Sequence, residues 1–185
     1  MGEGDAAFYG PKIDFQVRDA LRREFTNSTV QVDFQLPDRF GLEYVAEDGS
    51  RRRPVMVHRG AFGAMERMIA YLTERYAGAF PTWLAPVQVV VAPIAERHTD
   101  YARSVAERLR SNRARVEVDE RSERLSRKIR DARNRRVPYI AVVGDDEASA
   151  GMVKLNVRGG EQVSRSIDDF SSQLRDEIAS RRLAP

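Results

Sequence analysis

The sequence predicts an α/β (α+β) protein: an antiparallel sheet with a long helix, followed by a compact α/β unit with a mixed sheet. Three observations support this prediction. Short segments of alternating polarity occupy the first part, as expected of strands with one buried face. After residue 86, nearly continuous apolar runs alternate with helical patterns, which is typical of strands buried on both faces. Between the two parts, Pro81 and Pro86 frame a linker that cannot continue a helix.

The first part, expected to form a domain over residues 1–83, begins with two alternating strands in "KIDFQV" and "TVQVDFQL". A short helix is predicted between them in "RDALRREF". The turn at Asp48-Gly49 then predicts two strands within "LEYVAEDGSRRRPVMVH". The next helix has an apolar stripe at helical spacing, which predicts a face in the core. The stripe consists of Met65, Met68, Ile69, Leu72 and Tyr76.

The second part, expected to form a domain over residues 84–185, follows the order strand, helix, strand, helix, strand, strand, helix. The strands are predicted in "VQVVVAPI", "RVEVD", "PYIAVVG" and "MVKLNVR". The helices are predicted in "TDYARSVAERLRSN", "SERLSRKIRDARNRR" and "SIDDFSSQLRDEIASRR". Thr99 and Ser122 are the expected N-caps of the first two helices. His98 is expected on the surface.

Composition narrows the class of protein. Of 185 residues, 42% are hydrophobic and 32% are charged, which allows a packed core under a highly charged surface. No cysteine is present, so disulfides and thiolate metal sites within this chain are excluded, and a cytoplasmic location is favoured. No apolar run approaches the roughly 20 residues of a membrane span, and "MGEGDAAF" lacks the basic start of a signal peptide. We therefore expect no membrane partner.

The net charge is only +3, but "RSERLSRKIRDARNRR" concentrates positive charge on one helix. Its apolar residues are Leu125, Ile129 and Ala132. One flank of this helix holds several cations together, namely Arg121, Arg124, Lys128 and Arg135. The flank is either a solvated helix face or a surface for RNA or phosphate.

Charged residues also occupy a junction between a strand and a helix in "PVMVHRGAFGAMERMIAYLTERY". His58 at the strand end is either a hydrogen-bonded structural residue or a metal ligand, and one histidine cannot form a site alone. Arg67 follows Gly63 in the opening turn of the helix, opposite the apolar stripe. It is either solvated or contacts a phosphate or a purine ring. Gln31 and Asp33 share the polar face of their strand, which is either a pocket floor or a solvated surface.

Together these stretches resemble the C-terminal part of the threonyl-tRNA synthetases, a family of class II aminoacyl-tRNA synthetases. The resemblance covers nearly the whole chain in colinear order. It rests on "GEGDAAFYGPKIDF", "STVQVDFQLPDRF", "RPVMVHRGAFGAMERMIAYLTERYAGAFPTWLAPVQVVV" and "RVPYIAVVGD". It implies the motif-three end of a class II catalytic domain, followed by an anticodon-binding domain.

The implied activity is that of a threonine–tRNA ligase, which joins threonine and ATP into threonyl-adenylate and passes the threonyl group to its tRNA. ATP, Mg²⁺ and Zn²⁺ are the implied cofactors, and the complete enzyme is expected to be a homodimer. The alternative is a synthetase paralogue without catalysis, or another RNA-binding protein, that keeps the fold.

The resemblance also implies roles for individual residues. Arg67 matches the motif-three arginine that lies against the adenine ring and phosphates of ATP, with Gly63 in the approach to it. His58 matches one of three ligands of a zinc ion that binds the hydroxyl and amine of threonine. The remaining active-site matches are Tyr9 and Lys12 beside the threonyl group, and Thr29 and Gln31 near the adenylate.

In the second domain, Arg130 and Glu147 match positions that contact the anticodon, and Arg121, Arg124 and Lys128 are expected to share the RNA-binding face. The sequence departs from the family pattern at five positions: Phe25, Thr26, Ala64, Ser122 and Asn156. This chain contains no "FRxE" arginine of motif two, no cysteine ligand and no second histidine ligand in its first part. The chain alone is therefore expected to be inactive and its zinc site incomplete.

Overall fold

A computed structural model describes residues 7–183, so the "MGEGDA" that opens the first matching stretch lies outside the described residues. The chain divides into two units between Arg75 and Tyr76. Residues 76–83 thus group with the second unit, whereas the sequence predicts a boundary after Trp83. Hydrogen bonds explain the grouping: the Gln88 side chain donates to the Thr82 carbonyl at 2.8 Å, and Arg158 donates to the Phe80 carbonyl at 2.7 Å.

The first unit contains a three-stranded antiparallel sheet, a two-stranded hairpin and two helices. The strands are β1 (Lys12–Arg18), β2 (Glu24–Asp33), β3 (Tyr44–Val45), β4 (Arg51–Arg52) and β5 (Met56–Gly60). The helices are α1 (Gln35–Arg39) and α2 (Met65–Arg75). The sheet has the order β1-β2-β5, and β3 pairs with β4 around the predicted turn. The antiparallel sheet with a following helix is confirmed.

The helix predicted in "RDALRREF" is wrong, because β1 and β2 form a hairpin across this stretch. Strand pairing runs to Arg18 opposite Glu24, and these two side chains form an ion pair. The turn is closed by the Asp19 side chain, which accepts from the Arg23 N–H at 2.8 Å. Cross-strand pairing therefore outweighs the helical preference of the segment.

The apolar stripe of α2 is present, but its predicted burial is wrong. No residue of α2 is buried, and Met65 and Ile69 are 58% and 56% exposed. Apart from Pro37 and Pro81, the buried apolar residues among residues 7–183 lie at or after Ala85. Within the described part of the first unit, no layer covers this helix face.

The second unit is a five-stranded mixed sheet with helices on both faces. Its strands are β6 (Val89–Pro93), β7 (Val116–Val118), β8 (Tyr139–Val143), β9 (Met152–Val157) and β10 (Gln162–Ser166). Its helices are α3 (Thr99–Arg110), α4 (Leu125–Asn134), α5 (Asp145–Ala150) and α6 (Ile167–Ser180), with a 3₁₀ turn at Glu96–His98. The strand order is β10-β9-β8-β6-β7. β6 pairs in parallel with β7 and β8, and β9 pairs antiparallel with both β8 and β10. The mixed sheet is confirmed; β10 and α5 are additional elements.

The core of this unit lies on the two faces of its sheet. Every residue of β6 and β8 is buried, as their apolar runs predict. Residues such as Val89, Leu109 and Phe170 form the larger cluster, and Ala132 of α4 packs with Val90 in the smaller one. Burying one such large apolar side chain contributes about 1.5–3 kcal/mol. None of the helices within residues 7–183 is long and apolar enough to cross a membrane.

The helix starts differ from the predicted caps. The N-cap of α3 is His98, one residue before Thr99, and the N-cap of α4 is Arg124 instead of Ser122. His98 is buried at 4% exposure, so its expected surface position is wrong. Its Nδ1 accepts from the Ala95 N–H at 3.2 Å, and its Nε2 lies 2.8 Å from the Asp145 carboxylate. One local partner and one distant in the chain hold the ring inside the unit.

Three turns that follow helices of this unit contain an arginine in the left-handed backbone region. Arg113 follows α3, Arg136 follows α4 and Arg181 follows α6, with φ of 64°, 56° and 51°. Glycine is the usual residue at such helix ends, because a Cβ atom is strained there.

Candidate functional site

A row of polar side chains crosses the sheet of the first unit. Gln31 on β2 is paired with Lys12 on β1 and with His58 on β5. Thr29, two residues away on the same face, is paired with Asp14 and Gly60. Directly opposite residues have Cβ atoms about 4.5–5.5 Å apart and share one face of a sheet. The register therefore brings together four predicted site residues: Lys12, Thr29, Gln31 and His58.

A pocket of about 370 Å³ lies at the end of this row. Its polar lining includes Tyr9, Gln31, Asp33 and His58. The Tyr9 hydroxyl donates to Gln31 Oε1 at 2.9 Å, and the rings of Tyr9 and His58 meet edge to face at 6.5 Å. Gly10 allows this approach: its φ is +154°, and a Cβ there would lie 2.3 Å from the Val32 carbonyl oxygen. Tyr9 thus joins the predicted group.

Asp33 anchors His58 from beneath the pocket. Its side chain is 1% exposed, and its Oδ2 lies 3.0 Å from His58 Nε2. Burial opposes the charged form of Asp33, but hydrogen bonds from the Leu36 N–H, His58 and the Gln35 N–H outweigh it and lower the pKa of Asp33. With Nε2 engaged by a carboxylate, Nδ1 is the nitrogen of His58 left for a ligand. A carboxylate behind a histidine is the usual support of a metal-binding imidazole.

The donor set for a metal is nevertheless incomplete. Among residues 7–183, no three or more His, Cys, Asp or Glu side chains are placed to hold one ion. His58 is the sole histidine of the first unit. Because zinc sites use three or four protein ligands, the described residues do not form a zinc site by themselves.

Lys12 and Thr29 share one carboxylate on this face. Lys12 Nζ lies 2.8 Å from Asp14 Oδ2, and the Thr29 hydroxyl donates to Asp14 Oδ1 at 2.7 Å. The hydrogen bonds from Lys12 and Thr29 lower the pKa of Asp14. Sequence reasoning did not single out Asp14, although its place two residues after Lys12 on an alternating strand puts both on the same face.

Arg67 lies in the first turn of α2, apart from this row. It is exposed and makes no hydrogen bond or ion pair with any residue of the described chain. The loop before it is tight: Gly63 has φ +40°, and a Cβ there would lie 3.1 Å from the Asn27 carbonyl oxygen. The structure thus places Gly63 against the start of β2 and leaves the Arg67 guanidinium open to a ligand.

In the second unit, several predicted RNA contacts gather at the carboxyl ends of the parallel strands. β7 and β8 flank β6 on opposite sides, and such a point in the strand order creates a crevice. A pocket of about 680 Å³ opens there, and Arg121, Arg124 and Lys128 are among its lining residues. Arg130 and Glu147 do not line this pocket.

Two of these cations are already engaged. Lys128 is 4% exposed and its Nζ donates to the Pro93 carbonyl at 3.1 Å, so its expected place on an open face is wrong. Arg121 pairs with Asp119 at 2.7 Å and Asp131 at 3.0 Å, which raises its pKa. Arg124 makes no ion pair with the described residues. Of these three cations, Arg121 is therefore paired with carboxylates, Lys128 is held by a carbonyl, and Arg124 has no ion pair in the described chain.

Arg130 and Glu147 have unused capacity for hydrogen bonds. The Arg130 side chain is 68% exposed, with its nearest carboxylate, Asp131, at 3.9 Å. Glu147 Oε2 accepts from the Gly144 N–H at 2.9 Å at the start of α5. The same helix start carries Asp145, which receives two hydrogen bonds from Arg97. Sequence reasoning missed Asp145, because its partners lie 47 and 48 residues away in the chain.

Comparison with known proteins matches both units. The family model described as "tRNA synthetase class II core domain (G, H, P, S and T)" matches residues 2–76, and "Anticodon binding domain" matches residues 88–177. A threonine–tRNA ligase of Desulforamulus reducens is 50% identical over 99% of this chain. The chain belongs to the threonyl-tRNA synthetase family. Another member, from Thermus thermophilus, is 52% identical over 99% of the chain.

The chain matches only part of the length of each relative. The chain spans 29% of the Desulforamulus reducens member and 28% of the Thermus thermophilus member. A similar solved structure is the RNA binding domain of threonyl-tRNA synthetase from Cryptosporidium parvum Iowa II, with TM-score 0.86 and 37% identity. The likeness covers 94% of this chain and 44% of that one.

Proposed function

We propose that this chain is the C-terminal part of a threonine–tRNA ligase. The supporting observation is that about 50% identity to such ligases extends over 99% of the chain and through both units. The complete enzyme joins threonine and ATP into threonyl-adenylate, then transfers the threonyl group to its tRNA. It acts as a homodimer in the cytoplasm, uses Mg²⁺ with ATP, and uses Zn²⁺ to bind threonine.

In this proposal the polar row of the first unit forms part of the adenylate site. Tyr9 and Lys12 contact the threonyl side, and Thr29 and Gln31 contact the adenylate. The hydrogen bonds of Tyr9 to Gln31 and of Thr29 to Asp14 hold these groups before the substrate arrives. Such preorganisation lowers the cost of aligning reactants and of stabilising developing charge.

Arg67 supplies a positive charge near the start of α2. Its guanidinium has no carboxylate partner among the described residues, so it is available to stack on adenine or to pair with ATP phosphates. Gly63 lets the preceding loop pass close to β2 and keeps that approach open.

His58 contributes one zinc ligand in the complete enzyme. Asp33 orients the ring, which leaves Nδ1 to the metal. The other ligands have to come from outside the described residues. A bound zinc would let the site hold the threonine hydroxyl, and valine would leave these polar partners unpaired.

The second unit binds the anticodon region of tRNA. Arg130 and Glu147 supply a cation and a carboxylate oxygen for reading splayed bases, and Arg124 supplies charge toward phosphates. Arg121 and Lys128 contribute positive charge at the wall of the pocket that they line. Partners within the chain already hold both side chains in place.

Titration of the 185-residue chain with threonine tRNA and with an unrelated tRNA, at low and moderate salt, tests RNA binding. Arg124→Ala is expected to weaken both complexes, whereas Arg130→Ala costs mainly the preference for threonine tRNA, by about 1–3 kcal/mol. Arg175→Ala removes an exposed arginine of α6 and serves as the matched control. Failure of both tRNAs to bind at low salt would contradict the proposal.

Pyrophosphate exchange tests the catalytic proposal. The 185-residue chain alone is expected to show no threonine-dependent exchange, because it lacks the motif-two arginine and a complete zinc site. A chimera that supplies the upstream region of the Thermus thermophilus relative is expected to show exchange, and Arg67→Ala is expected to abolish it. A chimera that folds, binds tRNA and remains inactive would instead favour an RNA-binding paralogue without catalysis.

A further inference from the structure

A second group of arginines lies on the opposite flank of α4 from the pocket that holds Lys128. Arg133, Arg136 and Arg158 line a pocket of about 180 Å³ together with Asn156 and Gly159. Ile140 and Val157 contribute apolar walls. This pocket lies at the end of α4 and beside β9, among elements of the second unit only.

The charge of this group is not balanced by nearby carboxylates. Three other arginines near α4 have close acidic partners: Arg121 with Asp131 at 3.0 Å, Arg127 with Glu123 at 2.9 Å, and Arg135 with Glu117 at 2.8 Å. Within residues 7–183, no carboxylate oxygen lies within 4.0 Å of the guanidinium nitrogens of Arg133, Arg136 or Arg158. Cations held together without a counterion favour an anion between them.

Arg158 is fixed as part of the wall. It donates to the carbonyls of Arg136 and Phe80, both at 2.7 Å, so its planar group is held by backbone. Burial and the charge of Arg136 lower the pKa of Arg158, while the charge of Glu177 opposes that shift. An anion in the pocket would relieve the repulsion between Arg136 and Arg158.

Asn156 lines the same pocket. Its Nδ2 is buried and has no hydrogen-bond partner in the described chain, while its Oδ1 accepts from Gln162 at 3.4 Å. Buried donors are almost always paired, so an orphaned amide calls for an acceptor. Because this amide is closed to solvent, the exposed guanidinium groups of Arg133 and Arg136 are the donors that a phosphate oxygen can reach.

We propose that Arg133 and Arg136 bind a phosphate, with Asn156 and Arg158 shaping the pocket, and that this phosphate belongs to the backbone of the bound RNA. This rests on the proposed function. The pocket adjoins Arg130 of the proposed RNA surface, because Arg130 and Arg133 lie three residues apart on the same side of α4. Backbone phosphates position an RNA without reading its sequence, so the pocket contributes affinity and not discrimination.

The test measures binding of the 185-residue chain to labelled threonine tRNA and to an unrelated tRNA over a range of KCl. Arg133→Ala and Arg136→Gly are expected to lower affinity for both RNAs equally, by about five-fold each. Each is expected to reduce the slope of log affinity against log salt by about 1. Arg136→Gly suits the left-handed backbone, and thermal unfolding verifies its fold. Arg165→Ala, an exposed arginine paired across strands with buried Val153, removes the same charge on the opposite sheet face and is expected to leave both quantities unchanged.

The outcomes separate this inference from the function it rests on. If the chain binds tRNA and the pocket variants behave like Arg165→Ala, the phosphate site is wrong and RNA binding stands. If neither RNA binds, the proposed function falls and this inference falls with it. A loss confined to threonine tRNA would mean that the pocket reads a base. Inorganic phosphate, added at constant ionic strength, is expected not to displace RNA at low millimolar concentration; displacement there would assign the pocket to a free anion.

Discussion

Tyr139 and Glu177 form a buried polar pair in the second unit. The Tyr139 hydroxyl donates to Glu177 Oε2 at 2.7 Å, and burial raises the pKa of Tyr139, with a further contribution from Glu177. Glu177 is 3% exposed, and its other oxygen has no hydrogen-bond partner in the described chain. The hydroxyl donates the side-chain hydrogen bond to this carboxylate in the described chain, and the nearby charge of Arg158 also interacts with it.

Replacing Tyr139 by Phe removes that donor and leaves both carboxylate oxygens unpaired. We expect the free energy of unfolding to fall by about 1–3 kcal/mol, as for a buried charged acceptor that loses its partner. Tyr101→Phe is the comparison, because its hydroxyl donates to the neutral Met152 carbonyl at 2.8 Å and its loss should cost only about 0.5–1.5 kcal/mol. Urea denaturation of both variants measures the difference. Equal losses would mean that the Glu177 carboxylate is compensated elsewhere.

Asp145 makes the stability of the second unit depend on pH in the acid range. Hydrogen bonds from Arg97 and then His98 hold the pKa of Asp145 far below its ordinary value. Because the folded pKa is depressed, this stabilisation is present above the unfolded pKa of about 3.9 and is lost as pH falls below it. Asp145→Asn is therefore expected to flatten the loss of stability between about pH 4 and pH 2. Urea titrations across that range check it against Asp146→Asn, a neighbour without an ion pair to the described residues; identical pH profiles would contradict the prediction.

At the scale of elements, the strands with simple patterns were predictable and the shorter elements were not. The apolar runs of β6 and β8 predict strands buried on both faces, and every residue in them is buried. β10, with the sequence "QVSRS", has too little apolar alternation to be found. The buried His98 and Lys128 could not be predicted, because their partners Asp145 and Pro93 lie 47 and 35 residues away in the chain. The polar row of β1, β2 and β5 was foreseen strand by strand, while its register came from the structure.

The sheet of the first unit exposes apolar side chains between two edge strands. Among the described residues, β1 and β5 each pair on one side only, and Ile13 and Val57 are 65% and 61% exposed on the same sheet face. Unpaired edges beside apolar surface favour association between copies. We expect the isolated chain to self-associate as its concentration rises, and Ile13→Lys combined with Val57→Lys to suppress this. Sedimentation velocity measures it, with Val163→Lys in the second unit as control; a chain that stays monomeric at high concentration would contradict the prediction.

At the scale of the whole chain, the two units differ in the apolar packing that stabilises them. The second has a continuous core on both faces of its sheet, whereas the first has exposed apolar residues on its sheet and on α2. The sequence predicted two domains and the linker region. It could not show that residues 76–83 are tied to the second unit, because those ties run through carbonyl groups, which every residue carries.

The ties predict a difference between two fragments. Residues 84–185 alone lose the Phe80, Thr82 and Trp83 carbonyls that accept from Arg158, Gln88 and Arg115. The buried Gln88 amide and the partly buried Arg158 guanidinium then lack acceptors, so we expect this fragment to be less stable than residues 76–185 by about 1–3 kcal/mol. Urea denaturation of the two fragments measures the gap. Equal stability, or a protease-resistant product that starts after Trp83, would show that the segment is dispensable.

A change to glycine at each of the three arginines in left-handed turns has a different cost, and protein engineering can use this difference between stability and activity. The Arg113 side chain is exposed and has no partner in the described chain. Arg113→Gly therefore relieves a strained backbone at no cost to any contact described above. Arg181 lies 5.9 Å from the ring of Trp83, and its removal would give up a cation–π contact. Arg136 retains its strain beside the arginine pocket, where the same change to glycine would gain stability and forfeit a phosphate. A thermostable form of this domain should therefore begin at Arg113 and leave Arg136 as it is.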